Sequence, residues 1–166
     1  MISIPALRPT LTYYSGVIVT SSLIPTMTSN TSPSGICSGG GWGFAFDSDQ
    51  NFLEYTSDLN YYIFDGKIYS SLIPTDAPYS FVTYQFPSPK TVTRLYVYFY
   101  SYRGESLEFQ GSTDGMTWNN IGNTPYLMNI PIIDDTFINN IPYTYYKISY
   151  NTNGGSGLRN IQLYGH

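Results

Sequence analysis

Apolar and polar residues alternate with a period of two over most of the second half of the chain, the signature of half-buried strands. Phe81 to Phe86 puts Val82, Tyr84 and Phe86 on one face. Thr91 to Tyr100 turns Leu95, Val97 and Phe99 inward and Arg94, Tyr96, Tyr98 and Tyr100 to the opposite side. Ser106 to Gly111 carries Leu107 and Phe109 inward with Glu108 out. Thr144 to Tyr150 sets Tyr146, Ile148 and Tyr150 against Lys147 and Ser149, and Asn160 to Tyr164 puts Ile161 and Leu163 inside. Asp114-Gly115 predicts a type I′ hairpin turn, whose two central residues need positive φ. Short strands separated by turns, with no internal repeat, indicate an all-β sandwich or jelly roll.

The first part of the chain breaks this rhythm. Pro5, Pro9 and Pro25 punctuate residues 1–25, with one β-like run from Tyr13 to Thr20 and Arg8 as the only charge. Proline at this density opposes a helix and central-strand pairing, so this segment reads as an extended arm with one short strand, ahead of a domain spanning 26–166. The arm is either an edge strand of its own domain or a tether lying on a neighbouring subunit. Residues 30 to 60 read as turn-rich, with Pro33-Ser34-Gly35 and Gly39-Gly40-Gly41 before Trp42, a composition suited to a surface loop at a ligand edge. The glycine run has no following Lys-Ser/Thr, so it is no phosphate cradle.

Composition strengthens the strand reading. The 166 residues are one domain's worth, and Glu, Lys and Ala occur only three times each, too few for a long helix. Tyr alone occurs 18 times. Seven basic against eleven acidic residues give a net charge of -4, with no cluster of cations for phosphates, so nucleic acid is excluded as a partner. Only 11% of residues are charged, which suits a protein packed among neighbours or one that binds neutral ligands such as sugars. No 18-residue apolar stretch is present, so no membrane insertion is expected. The N-terminus lacks the basic and apolar regions of a secretory signal. Cys37 has no cysteine to pair with and reads as a small buried thiol. Asn30-Thr31-Ser32 matches a glycosylation acceptor, a match of little weight without an export signal.

Four pieces of the chain, in order, resemble a known family. Ser106-Leu107-Glu108-Phe109-Gln110-Gly111-Ser112-Thr113-Asp114-Gly115-Met116-Thr117-Trp118 is similar to the "W-x-F-x-G-S-x-D-G-x-x-W" hairpin of discoidin-like (coagulation factor 5/8 C-type) domains, which include family 32 carbohydrate-binding modules. Met27 to Gly35 resembles their opening strand and loop, and Ala45-Phe46-Asp47 their "A-F-D-G" element. Tyr145-Tyr146-Lys147-Ile148 with Ile161-Gln162-Leu163-Tyr164-Gly165 resembles their closing pair. The resemblance implies an eight-stranded galactose-binding-like jelly roll whose loops at one end bind glycans or lipid head groups. It also implies a calcium near Asp47 and Asp49, although Ser48 replaces the motif's glycine and Asn160 its late Glu, a weaker ligand for a hard cation. The stretch from Gln50 to Tyr79 exceeds the usual insert and holds Tyr61, Tyr62, Phe64 and Tyr69, for specificity or for contact with a neighbour. Trp118 reads as structural, covering apolar surface beside Phe109.

Catalysis is not expected. The only histidine is the terminal His166, Cys37 has no base near it in sequence, and neighbouring Asp134 and Asp135 point to opposite faces if they lie on a strand. Zinc lacks His and Cys ligands. Sugars are held by aromatic faces with a few planar polar groups, which singles out Trp42, Tyr55, Tyr102, Arg103, Asn153 and Arg159 as candidate ligand residues. Trp42 leads, because a glycine-flanked Trp is an unusual core residue. Two settings follow. Starting at Met1 without an export signal or attached catalytic domain, the chain reads as a free-standing virion surface protein (capsid decoration, fibre or tail component) with host glycans as candidate ligand and the arm bound to other subunits. The alternative is an oligomeric cell-adhesion lectin, cytoplasmic or exported by a non-classical route.

Overall fold

The computed structural model describes residues 22–74, 80–101, 105–127, 132–151 and 157–166. The expected strand at 13–20, most of the expected arm, and the candidates Tyr102, Arg103 and Asn153 lie outside these residues. Among the described residues run eleven strands: β1 (Ile36–Gly40), β2 (Trp42–Phe46), β3 (Phe52–Glu54), β4 (Ser71–Pro74), β5 (Ser80–Lys90), β6 (Val92–Ser101), β7 (Glu105–Ser112), β8 (Asn119–Leu127), β9 (Ile132–Thr136), β10 (Tyr143–Asn151) and β11 (Gly157–Gly165). They form two antiparallel sheets, ordered β1-β5-β10-β7-β8 and β3-β2-β4-β11-β6-β9. Stacked face to face, these make the all-β jelly-roll sandwich expected from the alternation, with more strands than the eight the resemblance implies.

The period of two decides what the layers share. Val82, Tyr84 and Phe86 of β5, Tyr146, Ile148 and Tyr150 of β10, and Leu107 and Phe109 of β7 point inward from the five-stranded sheet. Leu95, Val97 and Phe99 of β6 and Leu158, Ile161 and Leu163 of β11 meet them from the other. Each such side chain contributes about 1.5–3 kcal/mol by leaving water. Tyr84 and Tyr146 can fill this core because their hydroxyls reach partners at its rim. The Tyr146 hydroxyl accepts the Val92 N–H at 3.0 Å and donates to the Lys90 carbonyl at 2.5 Å, and that of Tyr84 donates to Ser34 O at 2.7 Å. A buried tyrosine thus avoids an unsatisfied polar tip.

The segment expected to be loops is more ordered than its composition suggests. Residues 30–60 contain β1, β2, β3 and the start of a 3-10 helix, Ser57–Phe64. The glycines make this compatible: a Cβ on Gly39 would stand 2.6 Å from the Phe81 carbonyl oxygen, so β1 lies closer to β5 than a side chain would allow. Gly41, at φ +83, turns the chain out of one sheet and into the other. The long insert is part of the fold, since its helix buries Asn60, Ile63 and Phe64. The last residues of the expected arm also belong to the sandwich. Ile24 is buried and the Leu23 N–H donates to Leu163 O at 2.7 Å. At the other terminus, the backbone of His166 exchanges two hydrogen bonds with Thr91, so the chain end is tied down rather than loose.

Candidate functional site

The largest concavity among those described lies on the outer face of the five-stranded sheet, with a volume of about 480 Å³. Its floor follows from the register. Ser38, Thr83 and Lys147 stand side by side across β1, β5 and β10, and Phe81, Ser149 and Glu108 form the next rung across β5, β10 and β7. Small hydroxyl side chains in the middle of these rungs leave the space, while Tyr145, Phe81 and Trp118 line it with aromatic rings. Aromatic walls with a few convergent polar groups are the usual makeup of a small-ligand site.

The β7–β8 hairpin carries Trp118 to this place. The structure does not contain the expected type I′ turn, because Gly115 (φ +76) has positive φ and Asp114 does not. The Asp114 carboxylate instead gathers a longer loop, accepting N–H bonds from Met116 and Thr117 at 2.8 Å each and the Ser112 hydroxyl at 2.9 Å. Those donors hold the Asp114 pKa down to about 2. The loop delivers Trp118 onto the outer face, 4.2 Å from ring centre to the Lys147 ammonium. The expected contact with Phe109 does not form: Phe109 points inward and packs on Tyr146 and Phe137. Partial burial pulls the Lys147 pKa below its ordinary value, and the nearby Glu108 pulls it partly back. The groove therefore offers a ring face, a cation, a carboxylate and hydroxyls at one place.

The other candidates fall elsewhere. Trp42 is a correction: it is 4% exposed, its ring stacks on Tyr150 at 6.5 Å, and its Nε1–H donates to Phe81 O at 3.1 Å. The flanking glycines serve the corner between the sheets, and the ring closes the core behind that corner. Tyr55 is half-buried, its hydroxyl donating to Asn60 Oδ1 at 2.9 Å. Arg159 stands on the outer face of the opposite, six-stranded sheet among Tyr69, Tyr98 and Tyr100. Asp134 and Asp135 lie on β9, the strand alternative, and Asp134 is tied to Arg94 by a two-pronged ion pair, at 2.6 and 2.7 Å. Sequence reasoning passed over Lys147 and Glu108, whose outward parity on β10 and β7 was legible, and misplaced Trp118.

The Asp47 region bears on the implied calcium. Asp47 Oδ1 accepts the N–H groups of Asp49 and Asn51 and its Oδ2 the Asn51 amide, each at 2.9 Å, which lowers its pKa. A second Phe-Asp pair, Phe64-Asp65-Gly66, retains the glycine that Ser48 lacks, a signal the sequence analysis did not use. Asp65 is buried, and burial pushes its carboxyl pKa up although Ser70 Oγ and the Lys67 N–H donate to it at 2.6 and 2.8 Å. Lys67 lowers the pKa of both acids through its charge. Among the described residues no three acids, histidines or cysteines gather as a metal site. Asp47 thus sits in a turn closed by N–H donors, with the Lys67 ammonium 3.3 Å from the neighbouring Ser48 hydroxyl.

No protein-family model matches the sequence, and no curated protein matches it. Solved structures do share the fold. The chain is similar to chitosan-binding module 1 from a chitosanase/glucanase of Paenibacillus sp. IK-5, at 18% identity and a TM-score of 0.63, over 87% of this chain and 98% of that one. It is similar to a pectin-binding carbohydrate-binding module at 15% identity and a TM-score of 0.59, over 76% and 87%. A third is CpGH89CBM32-5 from Clostridium perfringens, solved with GalNAc-β-1,3-galactose, at 14% identity and a TM-score of 0.54, over 64% and 83%. The resemblance to discoidin-like domains and family 32 carbohydrate-binding modules read from the motifs therefore extends to the fold.

Proposed function

We propose that the protein is a non-catalytic carbohydrate-binding module that takes a short glycan in the Trp118 groove. The observation that carries this reading is the convergence of the Trp118 ring, Lys147, Glu108 and Ser149 around one cavity of ligand size. Carbohydrate-binding neighbours with the same fold support it. A non-catalytic role is supported by the state of the reactive groups: burial pushes the Cys37 thiol up to about 12, and Asp134 is held ionised in its pair with Arg94. Glycan-array screening followed by calorimetry on the best sugar tests the site. Trp118→Ala is expected to weaken binding at least about tenfold, as removing an aromatic anchor does, with the melting temperature unchanged. Undiminished binding by that variant moves the site elsewhere. The virion-surface setting is proposed on the low charge content alone, 11%. Mass spectrometry that finds the chain in purified particles supports it, and its presence only outside particles favours the free lectin.

A further inference from the structure

We propose that the outer face of the six-stranded sheet holds a second site, centred on Arg159, that takes the carboxylate-bearing sugars of an acidic polysaccharide. This rests on the carbohydrate-binding reading and adds a place and a ligand class to it. The pairing of β11 with β6 slips between Leu158↔Phe99 and Asn160↔Tyr98, which leaves Arg159 as the extra residue of a bulge. Bulges re-aim side chains, and this one turns a guanidinium onto a face paved with rings. Its central carbon lies 4.9 Å from the Tyr100 ring centre, 5.7 Å from Tyr98 and 5.8 Å from Tyr69.

The charge of Arg159 has no anionic partner among the described residues. The one ion pair found among them is Arg94–Asp134. Among the described residues the buried Arg159 Nε has no hydrogen-bond acceptor, and its Nη1 donates to the Tyr98 hydroxyl at 3.5 Å. Ring faces attract a guanidinium but accept none of its N–H bonds in the way a carboxylate does, so an anionic oxygen is the complement this cation lacks among the described residues. Beside the cation the surface is aromatic. Phe46 stacks parallel on Tyr100 at 5.5 Å, and Phe52 meets Phe46 edge-on at 6.0 Å. Tyr100 is 38%, Tyr69 44% and Phe52 64% exposed, so their rings face solvent. A uronic acid unit satisfies both features, its apolar ring face on the aromatics and its carboxylate on Arg159.

Calorimetric titration of the full chain with an oligogalacturonate, its methyl-esterified counterpart and polyglutamate separates the outcomes. Wild type and Trp118→Ala are expected to bind the oligogalacturonate equally. Esterification or Arg159→Gln is expected to weaken binding at least tenfold, and Arg159→Lys to lose part of it, with melting temperatures confirming that each variant is folded. Oligogalacturonate binding that survives Arg159→Gln but falls with Trp118→Ala overturns the second site while upholding the groove. Binding of polyglutamate in place of the uronate, with the same dependence on Arg159, overturns the sugar assignment in favour of an acidic protein partner. Absence of all uronate binding, with a neutral glycan still bound, overturns this proposal and leaves the module reading standing.

Discussion

The two outer faces of this sandwich are built from strands with the same alternation, yet they differ in shape. On the five-stranded face, Ser38, Thr83 and Ser149 are short, and a capped loop raises Trp118 above them, so the face is concave. On the six-stranded face, long side chains stand at most of the outward places, from Phe44 and Phe46 on β2 to Tyr96, Tyr98 and Tyr100 on β6, and pave the surface with rings. Concavity here comes from small residues in a strand's middle combined with a wall contributed by a turn. The strand pattern alone supplies the direction of side chains and nothing of the wall.

The two faces rest on one shared core. Tyr146 packs on Phe86, Phe109 and Tyr143 and holds the β5–β6 corner through its hydroxyl. Tyr146→Ala is expected to cost about 3–5 kcal/mol, the range for deleting a large core aromatic, in a denaturant melt. Binding at both faces should fall together as the domain unfolds. Loss at the groove alone would mean that the two sheets are energetically separate.

A smaller effect distinguishes the faces by pH. The folded pKa of Asp114, about 2, lies below its ordinary value of 3.8, so its contribution to the hairpin is complete above about pH 4. That contribution is lost as pH falls through 2, where the protonated acid no longer attracts its N–H donors. Groove binding followed by tryptophan fluorescence should weaken between pH 4 and 2, and Asp114→Asn should weaken it already at neutral pH and flatten the acid profile. An unchanged profile in the variant would show that the loop holds Trp118 by other means. The smallest change is expected on the pavement itself. Arg94 and Asp134 are each close to half exposed, so Arg94→Gln should alter stability by less than about 1 kcal/mol, read as a small shift in the denaturant midpoint. A larger shift would mark this pair as part of the face's rigidity.

Sequence and structure agree where a residue's position depends on its nearest neighbours along the chain. The inward and outward sets of β5, β6, β7, β10 and β11 were legible because side chains in a strand alternate regardless of what lies across the sheet. The sandwich class followed from the same alternation, and the four ordered pieces from Met27 to Gly165 carry a resemblance to discoidin-like domains that the fold shares. Residues whose meaning depends on distant segments were not legible. Gly39 to Gly41 resembled a loop composition, although they serve close packing against β5 and a corner between sheets. Trp42 was consequently assigned to the surface, where it is core, and Trp118 to the neighbourhood of Phe109, where it faces outward over Lys147. Asp65 was passed over because burial, which sets its chemistry, leaves no mark on its immediate neighbours.

What the chain determined by itself is therefore the fold class and the parity of β5, β6, β7, β10 and β11, since these rest on local sterics and on the partition of apolar side chains from water. The tertiary structure decided which outward residues share a cavity. Lys147, Glu108 and Trp118 come from three elements and meet only through strand register and loop length. Arg159 gains its ring of tyrosines only because a bulge in β11 turns it toward β6. Proximity between residues far apart in sequence is a property of the packed sheets, and the chemistry of both faces follows from it.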